Sequence, residues 1–353
     1  MKKKGNKLSF GLKVVLGIGI LAFLCFGYML EEAYRYLYKP NVVTLQHQAD
    51  YILIPTGSSI EDVTRLLYEK GVIVNRSTFE WLARKRKYTE HVFPGRYRIT
   101  NGMSNYSLIE MLRTGKQDPV KLVFNPVRGV DRFGGIVAHQ IEADSISLDR
   151  MLHDPDVAAK YGFSVATFPC MFIPNTYEFF WNTSAEKFIV RMHKEYERFW
   201  NDARKAKAGK LNLSPAEVVT LASIVEEETV KSSEKSRIAG VYLNRLRKGI
   251  MLQADPTVKF AVGDFSIRRI LNKHLLVNSP YNTYRFVGLP PGPINYPSSS
   301  TVDAVLNAEK HSYLYFCARE DFSGYHNFSS TLKQHNKNAT AYRQALSRQG
   351  IFK

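Results

Sequence analysis

Cysteine is scarce, with 3 residues in a chain of 353. Cys25 lies inside an apolar run, which leaves only Cys170 and Cys317 to pair in an oxidising compartment, so no disulfide framework holds the fold together. Neither cysteine nor histidine clusters with ligand spacing, which argues against a metal site, and no cofactor is expected. Acidic residues are in deficit, 32 against 49 Lys and Arg, and the formal charge of +17 implies an anionic partner. No nucleic-acid-binding motif accompanies that charge. Basic residues scatter along the chain, with one local cluster at Arg84-Lys85-Arg86-Lys87, so an anionic lipid or polymer surface suits it better than nucleic acid. There is no repeat of about 20–50 residues and no low-complexity tract, which excludes solenoids and disordered chains.

What is present is enough apolar material for real cores. At 44% hydrophobic and 12% aromatic residues, the chain is long enough for about two domains. Lys2, Lys3, Lys4, Lys7 and Lys13 precede an unbroken apolar run from Val14 to Leu30, nearly long enough to cross a bilayer and fully so with Leu8 to Leu12. The lysines should stay in the cytoplasm, which places everything after Glu31 outside. Glu31-Glu32 follow without a small-x-small cleavage site, so an anchor is expected rather than a cleaved signal peptide.

Beyond the anchor, Tyr51 to Ile54 reads as a strand and Ser59 as the cap of a helix that Gly71 ends. A helix from Ser77 to Lys85, a strand from Gly95 to Ile99 and a helix from Ser104 or Ser107 to Gly115 complete a small α+β module. Lys121 to Phe124 reads as a further strand, Ile136 to Ile141 as a helix, and Ser184 to about Trp200 as another.

The most telling stretch is Leu221-Ala222-Ser223-Ile224-Val225-Glu226-Glu227-Glu228-Thr229, three acids ending an apolar helix. Ser214-Pro215-Ala216-Glu217 is a capping box with proline at the first helical position, where its missing N–H costs nothing. Val218, Leu221, Ala222 and Val225 then form one apolar face. At about 100° per residue, Glu227 falls opposite that face and is expected in solvent, while Glu226 and Glu228 fall on its flanks. A flanking carboxyl in a cleft can stay protonated near neutral pH, because desolvation disfavours its charged form.

The next helix starts at Ser233 and stops at Gly249, with Asn244 and Arg245 leaving its apolar side as exposed polar surface or as contacts to a polar ligand. Proline after Asp255 makes it a loop carboxylate, read as a cap for the following helix with Thr257 as the rival cap. The stretch Ser279 to Pro297 holds Pro280, Pro290, Pro291, Pro293 and Pro297; a loop this stiff can wall a cleft in a fixed shape. Ser300 opens a helix, Tyr313 to Ala318 and Tyr325 to Phe328 are strand-like, and a last helix spans about Gln334 to Leu346. His326 and His335 have no partner near in sequence and are read as structural.

Several strings, taken in order, resemble the YceG-like endolytic murein transglycosylase family. They are Leu221 to Thr229, Val241-Tyr242-Leu243-Asn244-Arg245-Leu246, Leu252-Gln253-Ala254-Asp255-Pro256-Thr257-Val258, Tyr281-Asn282-Thr283-Tyr284, Gly288 to Ile294 and Tyr313-Leu314-Tyr315-Phe316. Ile54-Pro55, Gly57-Ser58-Ser59 and Gly95-x-Tyr97 extend the likeness toward the N-terminus. Ala254 departs from it, standing where Ser or Thr is common, and Asn175 replaces an acid.

The resemblance implies an α+β chain with a single N-terminal transmembrane helix, a small LysM-like module and a mixed α/β catalytic domain. On this sequence that gives a cytoplasmic tail at 1–13, an anchor at 14–30, the module at 45–120, a connecting region at 121–183 and the catalytic domain at 184–353. It implies a plasma-membrane lyase with its outer domains extracytoplasmic, cutting peptidoglycan glycan strands without a cofactor and near synthesis enzymes. The acid/base falls on Glu226, with Glu228 as the alternative; Asn244, Gln253, Asp255, Tyr281, Asn282 and Tyr284 become substrate-binding candidates. Two rivals remain open: a water-using muramidase with Asp255 as second carboxylate, and a non-catalytic wall-binding scaffold.

Overall fold

The computed structural model describes residues 10–44, 50–128, 132–267 and 269–350. The chain forms two compact units, Met1–Val120 with Phe180–Asn182, and Lys121–Phe179 with Thr183–Lys353.

The first unit begins with α1 (Phe10–Tyr38), whose most apolar stretch has a mean hydropathy of 2.2 and whose length suffices to cross a membrane. There follow β1 (Asp50–Ile54), α2 (Ile60–Glu69), α3 (Arg76–Lys85), β2 (Gly95–Ile99) and α4 (Asn105–Arg113). The two strands pair antiparallel, Asp50 opposite Ile99 and Ile54 opposite Gly95, so alternation turns Ile52, Ile54, Tyr97 and Ile99 onto one core. Ser59 and Asp62 close a full capping box at the start of α2, and Gly71, at φ +66°, turns the chain out of it. Asn41 accepts from the Asn75 amide at 2.7 Å and donates to Asn105 Oδ1 at 2.7 Å, while Asn105 donates to the Tyr36 carbonyl at 3.2 Å. These buried amides tie the end of α1 to the strand–helix–helix–strand module.

The second unit contains β3 (Val120–Phe124), α5 (Phe133–Ala138), α6 (Ser145–Leu152), α7 (Pro155–Lys160), β4 (Asn175–Phe179), α8 (Ala185–Phe199) and α9 (Asp202–Lys210). It continues with α10 (Pro215–Glu228), α11 (Ser232–Arg247), α12 (Asp255–Val262), α13 (Asn272–Leu275), α14 (Ser299–Leu306), β5 (Tyr315–Ala318), β6 (His326–Ser329) and α15 (Leu332–Arg348). β3 pairs with β4, and β5 with β6 in an antiparallel ladder from Tyr315 opposite Ser329 to Ala318 opposite His326. Cys25, Cys170 and Cys317 are all free thiols.

The core of this unit is laid around α10. The capping box of Ser214 and Glu217 and Pro215 in the first turn are as expected, but the single apolar face is not. All eight residues from Val218 to Val225 are buried, so α10 is a central helix enclosed on every side rather than an amphipathic one. Both polar residues in that run are satisfied: Thr220 Oγ1 donates to the Ala216 carbonyl at 2.8 Å, and Ser223 Oγ donates to the Thr220 carbonyl at 2.7 Å and accepts from the Ile294 amide at 3.0 Å. Asn295 Nδ2 donates to the Ser223 carbonyl at 3.0 Å. The proline-rich stretch thus clamps the helix from outside.

Ser223→Ala leaves the Ile294 N–H buried without an acceptor. The expected cost is about 1–3 kcal/mol, read as a lower midpoint in thermal unfolding of the detergent-solubilised chain.

Candidate active site

The C-terminal turn of α10 sends its three carboxylates to three different environments. Glu226 accepts from Lys235 Nζ at 3.0 Å through Oε1, and from Ser298 Oγ at 2.9 Å and Thr301 Oγ1 through Oε2. Lys235 and Glu226 keep only 10% and 15% of their side-chain exposure. Although burial pushes the other way, the hydroxyl donors and the Lys235 ammonium hold the Glu226 carboxyl below its ordinary range, as an ion. Glu226 is therefore a poor proton donor. The pair fastens α10 to α11 and to the first turn of α14.

Glu227, expected in solvent, is covered. Its side chain is 17% exposed, it meets Arg128 Nε at 2.8 Å, and it accepts from Asn295 Nδ2 at 3.1 Å. The correction follows from the all-round burial of α10, which leaves no solvent side for a residue opposite the supposed face.

Glu228 is the exception among the three. It lines a cleft of about 390 Å³ together with Arg245, Gln253, Asp255, Tyr284 and His335. Tyr242, on α11, donates its phenol to Glu228 Oε1 at 2.5 Å; Oε2 has no hydrogen-bond partner among the described residues. Burial pushes the Glu228 carboxyl up to about 7, reinforced by the negative charges of Asp255 and Glu227 and opposed by the Tyr242 hydrogen bond and Lys259. Burial also pushes the Tyr242 phenol well above its ordinary value, so it remains a donor.

The cleft wall is built from backbone fixed by buried hydroxyls. Thr257 Oγ1 and Thr283 Oγ1 lie 2.8 Å apart, Thr283 Oγ1 accepts from the Ala254 amide at 3.0 Å, and the Gln253 amide donates to the Thr283 carbonyl at 3.0 Å. Gln253 is held at φ +54°, a left-handed conformation uncommon outside glycine. Asp255 is the first residue of α12, with Ala254 at the cap position and no side-chain cap, so neither Asp255 nor Thr257 caps that helix. Thr257 instead donates to the Ala254 carbonyl at 2.7 Å, and Asp255 accepts from the Tyr284 phenol at 2.6 Å.

Of the substrate-binding candidates, Gln253, Asp255 and Tyr284 meet in this cleft. Asn244 and Asn282 are spent on the fold: Asn244 donates to the His311 and Tyr313 carbonyls at 2.8 and 3.0 Å, and Asn282 to the Leu275 and Val277 carbonyls, both at 2.9 Å. Tyr281 packs against Phe260 and lines a separate, smaller cavity with Pro169, Pro293 and Tyr296. Arg245, expected as exposed surface or a ligand contact, is buried and turned into the cleft. The sequence reading missed Tyr242 and Lys235, whose partners lie on another helix, and took His335, a cleft residue, as structural. His326 does pair structurally, with Glu234 at 2.8 Å.

The second unit thus seats a carboxyl pushed up to about 7 in a polar cleft beside a second carboxylate, an arrangement suited to acid–base chemistry. The family model described as the YceG-like family matches residues 52–341, and the chain belongs to that family. A Bacillus subtilis protein named endolytic murein transglycosylase is 30% identical over 307 residues, covering 82% of this chain and 84% of the relative. A Streptococcus pneumoniae protein of the same name is 25% identical over 360 residues; the match covers 92% of this chain but 65% of that relative. The crystal structure of a yceG-like protein from Listeria monocytogenes matches with a TM-score of 0.53 at 32% identity, covering 82% of this chain and 99% of that one.

Two stability effects separate the acids. Glu226→Ala strands the Lys235 ammonium and is expected to cost about 3 kcal/mol. Glu228 behaves oppositely: its folded carboxyl titrates near 7 against an ordinary 4.5, so the native state holds the extra proton and stability falls as pH rises between those values. Glu228→Gln should raise the melting temperature by a few degrees at pH 8 and leave it unchanged below about pH 4. Thermal scans at the two pH values check both signs.

Proposed function

We propose that this chain is a membrane-anchored endolytic murein transglycosylase, a lyase that cuts peptidoglycan glycan strands internally, with Glu228 as its acid/base. The observation that carries the reading is the Glu228 carboxyl, pushed up to about 7 in a polar cleft, in a chain whose relatives bear that name. Support for the anchor comes from the lysines before α1 and the apolar length of α1; they favour a cytoplasmic N-terminus and extracytoplasmic outer units. The strand–helix–helix–strand order of the first unit supports a LysM-like, glycan-gripping role for residues 45–120. Catalysis is assigned to the second unit, including residues 121–179. Synthesis enzymes working at the same membrane face are candidate partners.

In the proposed reaction Glu228 donates its proton to the glycosidic oxygen as the bond from the N-acetylmuramic acid anomeric carbon to N-acetylglucosamine breaks. The resulting carboxylate, supported by the Tyr242 phenol, takes the proton from the muramoyl C6 hydroxyl. That oxygen closes on the anomeric carbon to give a 1,6-anhydro ring. One carboxyl serves twice because the nucleophile is part of the substrate.

Asp255 in the same cleft favours one alternative, a muramidase in which Asp255 activates water. The end groups of the products distinguish them. Mass spectrometry of peptidoglycan digested by the full chain in detergent should find anhydro ends; reducing ends would establish the hydrolase.

Glu228→Gln should lower the rate by at least about 10³-fold, whereas Glu226→Gln should lose activity only as far as it loses folded protein. Because the acid must be protonated, kcat/KM should fall above about pH 7, the value to which Glu228 is pushed. The Tyr242 hydrogen bond holds that value down, so Tyr242→Phe should move the alkaline limb to higher pH. An unmoved limb sinks the pairing of Tyr242 with the catalytic acid.

A further inference from the structure

The cleft beside Glu228 holds two nitrogen donors that the proposed chemistry does not use. Arg245 is 7% exposed; its Nε donates to the Leu314 carbonyl at 2.7 Å, and its Nη1 to the Met251 and Leu252 carbonyls at 3.0 and 2.8 Å. Nη2 has no hydrogen-bond partner among the described residues, and Arg245 lines the cleft. Nη2 is open to the cleft rather than sealed from solvent, so it is the amino group of this fixed guanidinium that a ligand can reach.

His335 comes from α15, far along the chain, and lines the same cleft. Its ring stacks on Tyr315 at 5.3 Å, and the Arg245 guanidinium lies 5.1 Å from the centre of that same Tyr315 ring. Nδ1 of His335 is buried with no hydrogen-bond partner among the described residues. Burial, helped by the charge of Arg245, holds the imidazole below its ordinary value, so it is neutral at neutral pH and carries a single N–H. A lone pair is easier to leave at the buried Nδ1 near a cation than an N–H without an acceptor. The proton therefore belongs on Nε2, the ring nitrogen that is not buried.

Arg245 Nη2 and His335 Nε2–H are both donors. A sugar hydroxyl, which also needs to donate, suits such a pair less well than an oxygen that only accepts. On an amino-sugar polymer the ether oxygens of that kind are weak acceptors, and the strong ones are acyl oxygens, either the acetamido carbonyl of the sugar or an amide carbonyl of the lactyl-linked peptide stem.

We propose that Arg245 and His335, both packed on Tyr315, anchor an acyl oxygen of the glycan next to Glu228, with His335 acting as a substrate-positioning residue. The inference rests on the glycan reading above. It adds a specificity element supplied by the C-terminal helix.

His335 makes no side-chain hydrogen bond within the described chain, so its replacement should leave the fold in place. With the full chain in detergent, His335→Ala should raise KM on intact strands by roughly ten- to thirtyfold with a smaller change in kcat, and His335→Gln, which keeps an N–H donor, should recover part of the loss. The same kinetics are then run on stem-free strands and on N-deacetylated strands. On the glycan lacking the contacted acyl group, wild type should fall to the level of His335→Ala, and the substitution should have no further effect. The glycan that shows this identifies the source of the oxygen. A uniform loss on all three glycans, or wild-type KM in His335→Ala, overturns the proposal. Strand binding by the Glu228→Gln chain, with and without His335→Ala, repeats the comparison without turnover; if wild type fails to cleave, the catalytic reading falls while this cycle still tests the anchor.

Discussion

Three adjacent carboxylates end a helix that is buried from Val218 to Val225, and a helix C-terminus carries partial negative charge that already disfavours anions. Each acid needs its own answer, and among the described residues two of the three form ion pairs. Glu226 takes Lys235, and Glu227 takes Arg128 with the Asn295 amide. Among the described residues Glu228 receives a phenol, with Lys259 as a more distant influence, and burial pushes its carboxyl up to about 7. The acid of the cleft is thus defined by what its two neighbours have taken. The charges of Glu227 and Asp255 raise the pressure further.

That distribution works only if α10 cannot rotate. Adjacent residues on a helix differ by about 100°, so a modest turn about the axis would exchange the environments of the three acids. Burial from Val218 to Val225 resists it, and the Ser223 contacts with Ile294 and Asn295 add directional bonds. The Glu226 cluster with Lys235, Ser298 and Thr301 is the strongest lock, because it ties α10 to two other helices at the turn where the phase matters. The Glu226 carboxylate, held at these three contacts, thereby fixes the direction in which Glu228 leaves the helix two residues on.

Local order was well written in the residues. Ser59 and Ser214 cap the helices they were expected to cap, Ser104 rather than Ser107 caps α4, Ser184 caps the helix expected to start there, and Gly95 to Ile99 is a strand over its full expected length. Those signals involve residues within a few positions of one another. The choice between Glu226 and Glu228 is not of that kind, since it depends on Lys235, Tyr242, Thr301 and Asp255 arriving from other elements. Periodicity also misled at Glu227, because a helix of alternating Val, Ala, Ser and Ile offers an apparent polar side even when every side is enclosed. Asn244 and Asn282 looked like ligand contacts, yet buried amides are as useful for satisfying loop carbonyls. His335 had no partner near in sequence; its meaning came from Tyr315 and Arg245 beneath it.

The proline-rich stretch does more than wall a cleft. Its first part, Tyr281 to Tyr284, fixes the Gln253–Thr257 segment through Thr283 and brings Tyr284 onto Asp255. Its second part, Ile294 and Asn295, reaches the other side of the site: it grips Ser223 and donates a hydrogen bond to Glu227. Stiffness matters because both ends must hold at once, and a loop poor in conformational entropy loses little in doing so. One segment therefore couples the phase of α10 to the position of the second carboxylate. Since Asp255 and Glu227 are both among the causes of the high Glu228 value, the same loop governs the electrostatics of the proton it never touches.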